Sequence, residues 1–294
     1  MKILYATDGS EASKAIAPLL KRLANRTTTE LTVLSVADSE HMFPEMQFTV
    51  PDLVDKVRAG ARAVADASAS DLQEAGFSVK SAVVEGPPGR SIVREAQDGR
   101  YDLVAVGAGS SSWLGHLLLG SVSTCVLHNS PVSVMVVHQP PRPDGPLRVL
   151  VAADGSAGHR ASVADLVSLA DPNRCMITVL SAANVPYRVA VNNPYPLIVG
   201  IDPGVVEEFI EKARRHAESS AGALRQAGFR CEVVATDGSP HHLILEEATE
   251  GGYDLVVVGS HGRGAALRTL LGSVSDAVAR NAPATLVGRK NLQG

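Results

Sequence analysis

The chain contains 294 residues, carries a formal net charge of −4 at pH 7, and 45% of its residues are hydrophobic. This length is sufficient for two domains that each bury a core of their own. The mild negative charge offers no basic surface for nucleic acid and no apolar run approaches a membrane span, so we expect neither nucleic acid nor a membrane as a partner.

The cysteines and the adjacent histidines do not indicate a metal-binding site. Cys125, Cys175 and Cys231 are far apart and form no CxxC pair, which favours neither a disulfide framework nor a zinc site. We therefore expect reduced thiols in a cytoplasmic protein. His241 and His242 have no carboxylate or cysteine at ligand spacing, so we interpret them as surface or helix-start residues.

Short runs rich in Val, Ile and Leu alternate with longer helical patterns along the chain. This alternation predicts βαβ units and a parallel sheet that is covered on both faces. In the first half, strands are predicted near residues 2–6, 30–36, 78–84, 102–107 and 132–137, and a long helix over 51–76. In the second half, strands are predicted near residues 148–152, 176–182, 230–235, 254–259 and 284–288. The second long helix has Asp202 as its N-cap, Pro203 at its first position and Gly228 just past its end.

The second half repeats the first. Asp8-Gly-Ser returns as Asp154-Gly-Ser, and Leu-Leu-Gly-Ser-Val-Ser occurs at both 118–123 and 270–275. A repeat of this length indicates a duplicated domain, because solenoid units are far shorter. We predict domains over 1–138 and 147–290, joined by a proline-rich linker at 139–146 that cannot pair in a sheet.

A glycine-rich segment links the fourth predicted strand of the second half to the following helix. It contains Gly259, Gly262, Gly272 and Ser273. Backbone N–H groups are free at the start of a helix, and glycine lets an anion approach them. The bland alternative is a tight turn without a ligand.

Acidic residues follow the first strand of each half. If the first and fourth strands are neighbours, Asp8 and Asp154 face these glycine loops across one crevice, where a carboxylate can accept hydrogen bonds from ribose hydroxyls. The base would then lie over the end of the second strand, near Val36 or Ala182. Asp-Gly-Ser is also good capping chemistry, so the acidic residues could instead cap the next helix.

The spacing Gly, two residues, Gly, nine residues, Gly-Ser resembles the ATP-binding signature of the universal stress protein family, and the resemblance extends over both halves. It implies two tandem Rossmann-like domains, each with a five-stranded parallel sheet flanked by helices, and ATP with Mg²⁺ as the ligand. Arg263, beside Gly262, is expected to meet phosphate oxygens. In the second half the resemblance carries the ligand-binding role onto Asp154, Ala182, Gly259, Gly262, Arg263, Gly272, Ser273 and Val274.

The first half departs from this signature. Asp8, Val36, Gly107, Gly120 and Ser121 occupy the corresponding positions. However, Ser110 stands where the second glycine should be, and Ser111 replaces the basic residue. We expect the first site to be weakened, to prefer a different ligand or to be empty. Trp113 in the same loop could cover a ligand or pack against the neighbouring domain.

No catalytic motif accompanies these loops: the chain has no G-x-S-x-G elbow and no P-loop lysine. The resemblance therefore favours an ATP-binding regulatory protein of the stress response, with little or no hydrolysis and at most a weak ATPase activity. It also implies a protein partner of unknown identity and a possible homodimer through edge strands. The alternatives are a nucleotide-free interaction scaffold and an ATP-using phosphoryl or adenylyl transferase.

Overall fold

The computed structural model describes residues 1–38, 52–109, 119–185, 203–260 and 271–289. We call residues 1–138 the first copy and residues from 147 onwards the second copy. The first copy contains β1 (Lys2–Ala6), α1 (Glu11–Lys14), α2 (Ile16–Leu23), β2 (Glu30–Ala37), α3 (Leu53–Glu74), β3 (Ser78–Glu85), α4 (Pro88–Asp98), β4 (Leu103–Gly107), α5 (Ser121–Asn129) and β5 (Ser133–Val137). The second copy contains β6 (Leu147–Ala152), α6 (Ala157–Leu169), a 3₁₀ turn (Pro172–Arg174), β7 (Cys175–Ala183), α7 (Pro203–Gln226), β8 (Arg230–Asp237), α8 (Pro240–Glu250), β9 (Leu255–Gly259), α9 (Ser273–Asn281) and β10 (Ala284–Gly288).

The ten strands form one sheet in the order β3-β2-β1-β4-β5-β10-β9-β6-β7-β8. All pairs within a copy are parallel, which confirms the predicted α/β fold with parallel strands flanked by helices. The long helices α3 and α7 end as their sequences predict, because Gly76 and Gly228 adopt φ values of +91° and +92° that glycine tolerates best. The predicted N-cap Asp202 lies outside the described residues.

Two hydrophobic layers cover the sheet, one on each face. Helices α2, α3, α6 and α7 contribute to one layer, and α4, α5, α8 and α9 contribute to the other. The buried faces of α3 and α7 carry alanines, including Ala65 and Ala217, so these helices lie close to the strands. None of the described helices is both long and apolar enough to cross a membrane.

The copies meet along a seam that the sequence does not reveal. Strand β5 pairs with β10 antiparallel, so Met135 lies opposite Leu286 at the centre of the sheet. The ends of α2 and α6 also meet across the seam, where Asn25 N donates to Leu169 O at 2.8 Å and Asp171 N donates to Leu23 O at 2.9 Å. Each of these two bonds repeats the other with the copies exchanged, which is the hallmark of a two-fold interface. The seam leaves β3 and β8 as the outer strands, and the homodimer through edge strands stays a prediction.

The linker is held to the second copy by a buried carboxylate. Asp254, whose side chain is 2% exposed, accepts from the backbone N–H groups of Arg142 and Arg148 at 3.0 and 2.9 Å. The guanidinium of Arg142 also donates to it, at 3.2 Å. Burial raises the pKa of Asp254, but the bonds from Arg142 and Arg148 outweigh burial and leave the pKa below its ordinary value. The linker is therefore fixed in place at this point.

A second acidic side chain crosses the seam to a hydroxyl group. Asp165 of α6 accepts a hydrogen bond of 2.5 Å from Ser133 Oγ of β5. Burial raises the pKa of Asp165 from 3.8 to about 6, and the nearby charge of Asp102 adds to the rise. Because the folded state holds this proton more tightly than the unfolded chain does, ionising Asp165 destabilises the fold.

We predict that Asp165→Asn stabilises the protein at pH 7.5 and not at pH 4. The contribution of Asp165 to the free energy of unfolding falls as the pH rises from about 4 to 6, by at most about 3 kcal/mol. The asparagine variant lacks this loss, so the difference between variant and wild type should grow over that range. Urea unfolding at several pH values measures it, with the exposed Asp144→Asn as control. A difference that does not change with pH would contradict the assignment.

Candidate functional site

The strand order reverses between β1 and β4 in the first copy and between β6 and β9 in the second. Ala6 pairs with Val106 at the first reversal, and Val151 pairs with Val257 at the second. Ligands of open α/β sheets bind at such points, outside the carboxyl ends of the strands. Each copy has a pocket there, of about 330 Å³ in the first copy (the first pocket) and about 270 Å³ in the second (the second pocket).

An acidic turn forms one wall of each pocket. Ser10 N donates to Asp8 Oδ1 at 2.9 Å, and Ser156 N donates to Asp154 Oδ1 at 2.8 Å. The helix caps are the serines, because Ser10 Oγ and Ser156 Oγ accept from the backbone N–H groups three residues later. Burial raises the pKa of Asp8, but hydrogen bonds from Ser10 and Ser13 outweigh burial and hold the pKa below its ordinary value. The carboxylates thus shape the turn. The helix capping that we had considered for Asp8 and Asp154 is done by the serines instead.

The opposite wall is the start of a helix. Gly120 and Gly272 are the N-caps of α5 and α9, and neither helix has a side-chain cap. The first N–H groups of an uncapped helix can donate to a ligand, and the helix dipole favours an anion there. Ser123 Oγ donates to Gly107 O at 2.8 Å and Ser275 Oγ donates to Gly259 O at 2.5 Å, which fixes each helix start against the preceding strand.

The first glycine of the motif has a packing role that we did not expect. A Cβ on Gly107 would lie 2.6 Å from the backbone of Ala12 and Ser13, and a Cβ on Gly259 would lie 2.5 Å from His159 N. Gly120 and Gly272 have φ values of −66° and −67°, so they do not use left-handed backbone. Gly107 and Gly259 therefore let the helix after the first strand approach the fourth strand.

The far end of each pocket is apolar. The sequence reasoning expected Val36 and Ala182 here but missed the helix residues of this wall, although a repeated Pro-x-x-x-Ile at the start of α4 and α8 signals them. Such a surface suits a flat, largely apolar group. It is formed by Leu34, Val36, Pro88 and Ile92 in the first pocket, and by Leu180, Ala182, Pro240 and Ile244 in the second.

The structure brings together every described residue that the sequence assigned to a ligand. The first pocket is lined by Asp8, Val36, Gly107, Gly120 and Ser121, and the second by Asp154, Ala182, Gly259, Gly272, Ser273 and Val274. The remaining assigned residues Ser110, Gly262 and Arg263, and Trp113, lie outside the described residues.

The two pockets differ in the hydroxyl groups beside the carboxylate. Thr7 and Ser13 line the first pocket, with their oxygens 3.1 Å apart. Ala153 replaces Thr7 in the second pocket, and the residue in place of Ser13 is His159, which is buried with Nε2 2.6 Å from Ser220 Oγ. Burial lowers the pKa of His159, and the negative charge of Asp154 partly opposes this shift. The first pocket is therefore the more polar at this wall.

Within the described ranges, no group of three or more His, Cys, Asp or Glu side chains could hold a metal ion. The rings of His241 and His242 lie 4.0 Å apart, and Ser239 Oγ is 3.0 Å from His241 Nδ1 at the start of α8. Their place agrees with a helix-start interpretation.

These features define the class: a tandem doubly wound α/β protein with one polar-to-apolar pocket at each strand-order reversal. The model of the universal stress protein family matches residues 1–138 and 147–287, and the chain belongs to that family.

Relatives with known names support the assignment over the whole length. A universal stress protein of Mycobacterium tuberculosis is 29% identical over 294 residues, covering 94% of this chain and 92% of the relative. One from Mycolicibacterium smegmatis is 31% identical over 218 residues, covering 70% of this chain and 67% of the relative. The crystal structure of a universal stress protein from Archaeoglobus fulgidus shares the fold, with a TM-score of 0.66 and 22% identity over 98% of both chains.

We predict that Gly259→Ala destabilises the protein by about 1–3 kcal/mol, because its methyl group would displace the backbone at His159. Gly222→Ala is the matched control in the same copy, since a methyl group there meets nothing within 4 Å. Gly222 lies inside α7, so its replacement should stabilise by about 0.5–1 kcal/mol. Thermal unfolding of both variants checks the pair. If Gly259→Ala is as stable as the wild-type protein, Gly259 has no packing role.

Proposed function

We propose that the protein is a cytoplasmic, ATP-binding regulatory protein of the stress response that holds its nucleotide with little or no hydrolysis. The observation that carries this proposal is the facing pair of walls in each pocket. A carboxylate lies on one side and an uncapped helix start lies on the other, at the reversal of strand order. Membership of the universal stress protein family supports the regulatory role.

Each wall suits one part of an adenine nucleotide. The N–H groups that open α5 and α9 would bind phosphate oxygens. The carboxylates of Asp8 and Asp154 would accept hydrogen bonds from ribose hydroxyls. The apolar walls, including Ile92 and Ile244, would cover the base, with main-chain groups near Val36 and Ala182 reading its edge.

Mg²⁺ would fit here as a companion of the phosphates. This ion commonly uses one or two carboxylates together with substrate phosphates and waters. Asp8 and Asp154 are the acidic side chains of the two described pocket linings. The same linings contain no Lys, Arg or His. The described walls thus supply binding groups without an obvious general base or phosphoryl-activating cation, in keeping with slow turnover.

We expect ATP to stabilise the protein against heat. At about a hundred times its dissociation constant, ATP adds about 2.7 kcal/mol to a one-site protein, which corresponds to several degrees in the melting temperature. Val36→Phe and Ala182→Phe each place a ring in one pocket, so each should remove one binding site, and the double variant should remove the whole shift. If millimolar ATP shifts neither melting nor calorimetric heat, the nucleotide-free scaffold becomes the better description.

The two pockets should bind ATP unequally. Gly262 and Arg263 of the second copy correspond to Ser110 and Ser111 of the first, and one charge-assisted phosphate contact contributes about 1.5–3 kcal/mol. We therefore expect the second pocket to bind ATP at least about tenfold more tightly. Titration of Val36→Phe reports the second pocket, and titration of Ala182→Phe reports the first. Tighter binding in the first pocket would mean that its extra hydroxyls outweigh the missing cation.

A further inference from the structure

The two helices that open at the pockets begin alike and then diverge in charge. Both α5 and α9 start with Gly-Ser-Val-Ser and lack a side-chain cap. The next residue is Thr124 in α5 but Asp276 in α9. Only the second of these helices therefore has a carboxylate in its first turn. That carboxylate lies in the same first turn as the pocket residues Ser273 and Val274.

The position of Asp276 makes its charge relevant to the ligand. Its backbone N–H donates to Gly272 O at 2.9 Å, which places it one turn from the N-cap. Side chains on a helix lean toward its N-terminus, so this carboxylate leans toward the pocket end of α9. A negative charge in the first turn stabilises the helix itself but repels a second anion at the same terminus.

Two basic groups hold Asp276, and they come from different copies. Arg280 donates to both carboxylate oxygens, at 2.8 and 3.1 Å. Arg280 lies one turn further along α9, so Asp276 is the charged residue of the first turn. His128, in the last turn of α5, has its Nε2 3.3 Å from Asp276 Oδ1. The first copy therefore contributes a residue to the surroundings of Asp276.

We propose that Asp276 is a specificity-determining residue of the second pocket, which weakens binding as the ligand's negative charge increases, and that His128 of the first copy moderates this effect across the seam. The inference rests on the proposed function, because it concerns the same pocket. The first pocket, with the neutral Thr124, lacks this penalty. The second pocket is thereby biased toward nucleotides with fewer phosphate charges, whatever overall affinity its glycine loop provides.

The test compares ATP with adenosine, which shares the base and ribose but has no phosphate. The full-length chain carries Val36→Phe, so that only the second pocket is available. Asp276→Thr, which copies Thr124 of α5, should raise the affinity for ATP about two- to fivefold and leave the affinity for adenosine unchanged. Asp276→Asn removes the charge while keeping an acceptor for Arg280, and it serves if the threonine variant does not fold. The reciprocal Thr124→Asp, in the Ala182→Phe background, should weaken ATP in the first pocket by a similar factor.

The role of His128 is tested by asking whether its effect on ATP binding depends on Asp276. His128→Leu should weaken ATP binding when Asp276 is present and have no effect in the Asp276→Thr chain, which a double-mutant cycle measures. An unchanged ATP-to-adenosine affinity ratio in both Asp276 variants would overturn the inference but leave the proposed function intact. An equal change for ATP and adenosine would also overturn it, because it would reveal a merely structural role. Failure of the unsubstituted chain to bind either compound would overturn the proposed function and the inference with it.

Discussion

The antiparallel pairing of β5 with β10 is the constraint on which the rest of the structure depends. It joins two parallel sheets that would otherwise each expose an edge strand, and it makes one continuous sheet of ten strands. Because the two strands run in opposite directions, the carboxyl ends of the two sets of strands lie at opposite edges. The pockets consequently open at opposite edges of the sheet. The same pairing places the end of α5 beside the beginning of α9, and so brings His128 to Asp276.

Each pocket is built partly by residues that the packing of the fold requires. Gly107 and Gly259 serve the fold, since a side chain there would collide with the helix that follows the first strand. The same glycines line the pocket that the helix borders. Ser123 and Ser275 then fix the uncapped helix starts to the ends of β4 and β9. The free N–H groups of these helix starts are therefore already in position, which would reduce the entropy lost if an anion binds there.

Local sequence patterns predicted the elements of this fold but could not predict how the copies join. Alternating apolar runs and glycines such as Gly228 are local signals, and they marked the strands and helix ends to within a few residues. The pairing of Met135 with Leu286 joins residues about half a chain apart, and nothing in either strand distinguishes that partner from another chain. Residues such as Asp154 could be predicted to share one pocket because they belong to motifs that follow the ends of strands. Pro240 and Ile244 were missed because an apolar pocket wall looks like ordinary core in sequence. The exchange of Ser13 for His159 was also missed, because its meaning depends on Ser220, a distant neighbour.

Joining both copies in one chain has an evolutionary consequence at the seam. In a homodimer every interface substitution appears twice, so any polar change has to be tolerated on both sides of the axis. Here the bond between Asp165 and Ser133 occurs once, and Leu19 occupies the place in α2 that Asp165 has in α6. The fused chain has thus broken its own symmetry, and each half is free to diverge without its twin. A duplication that adds no new fold has in this way provided two pockets that can change separately.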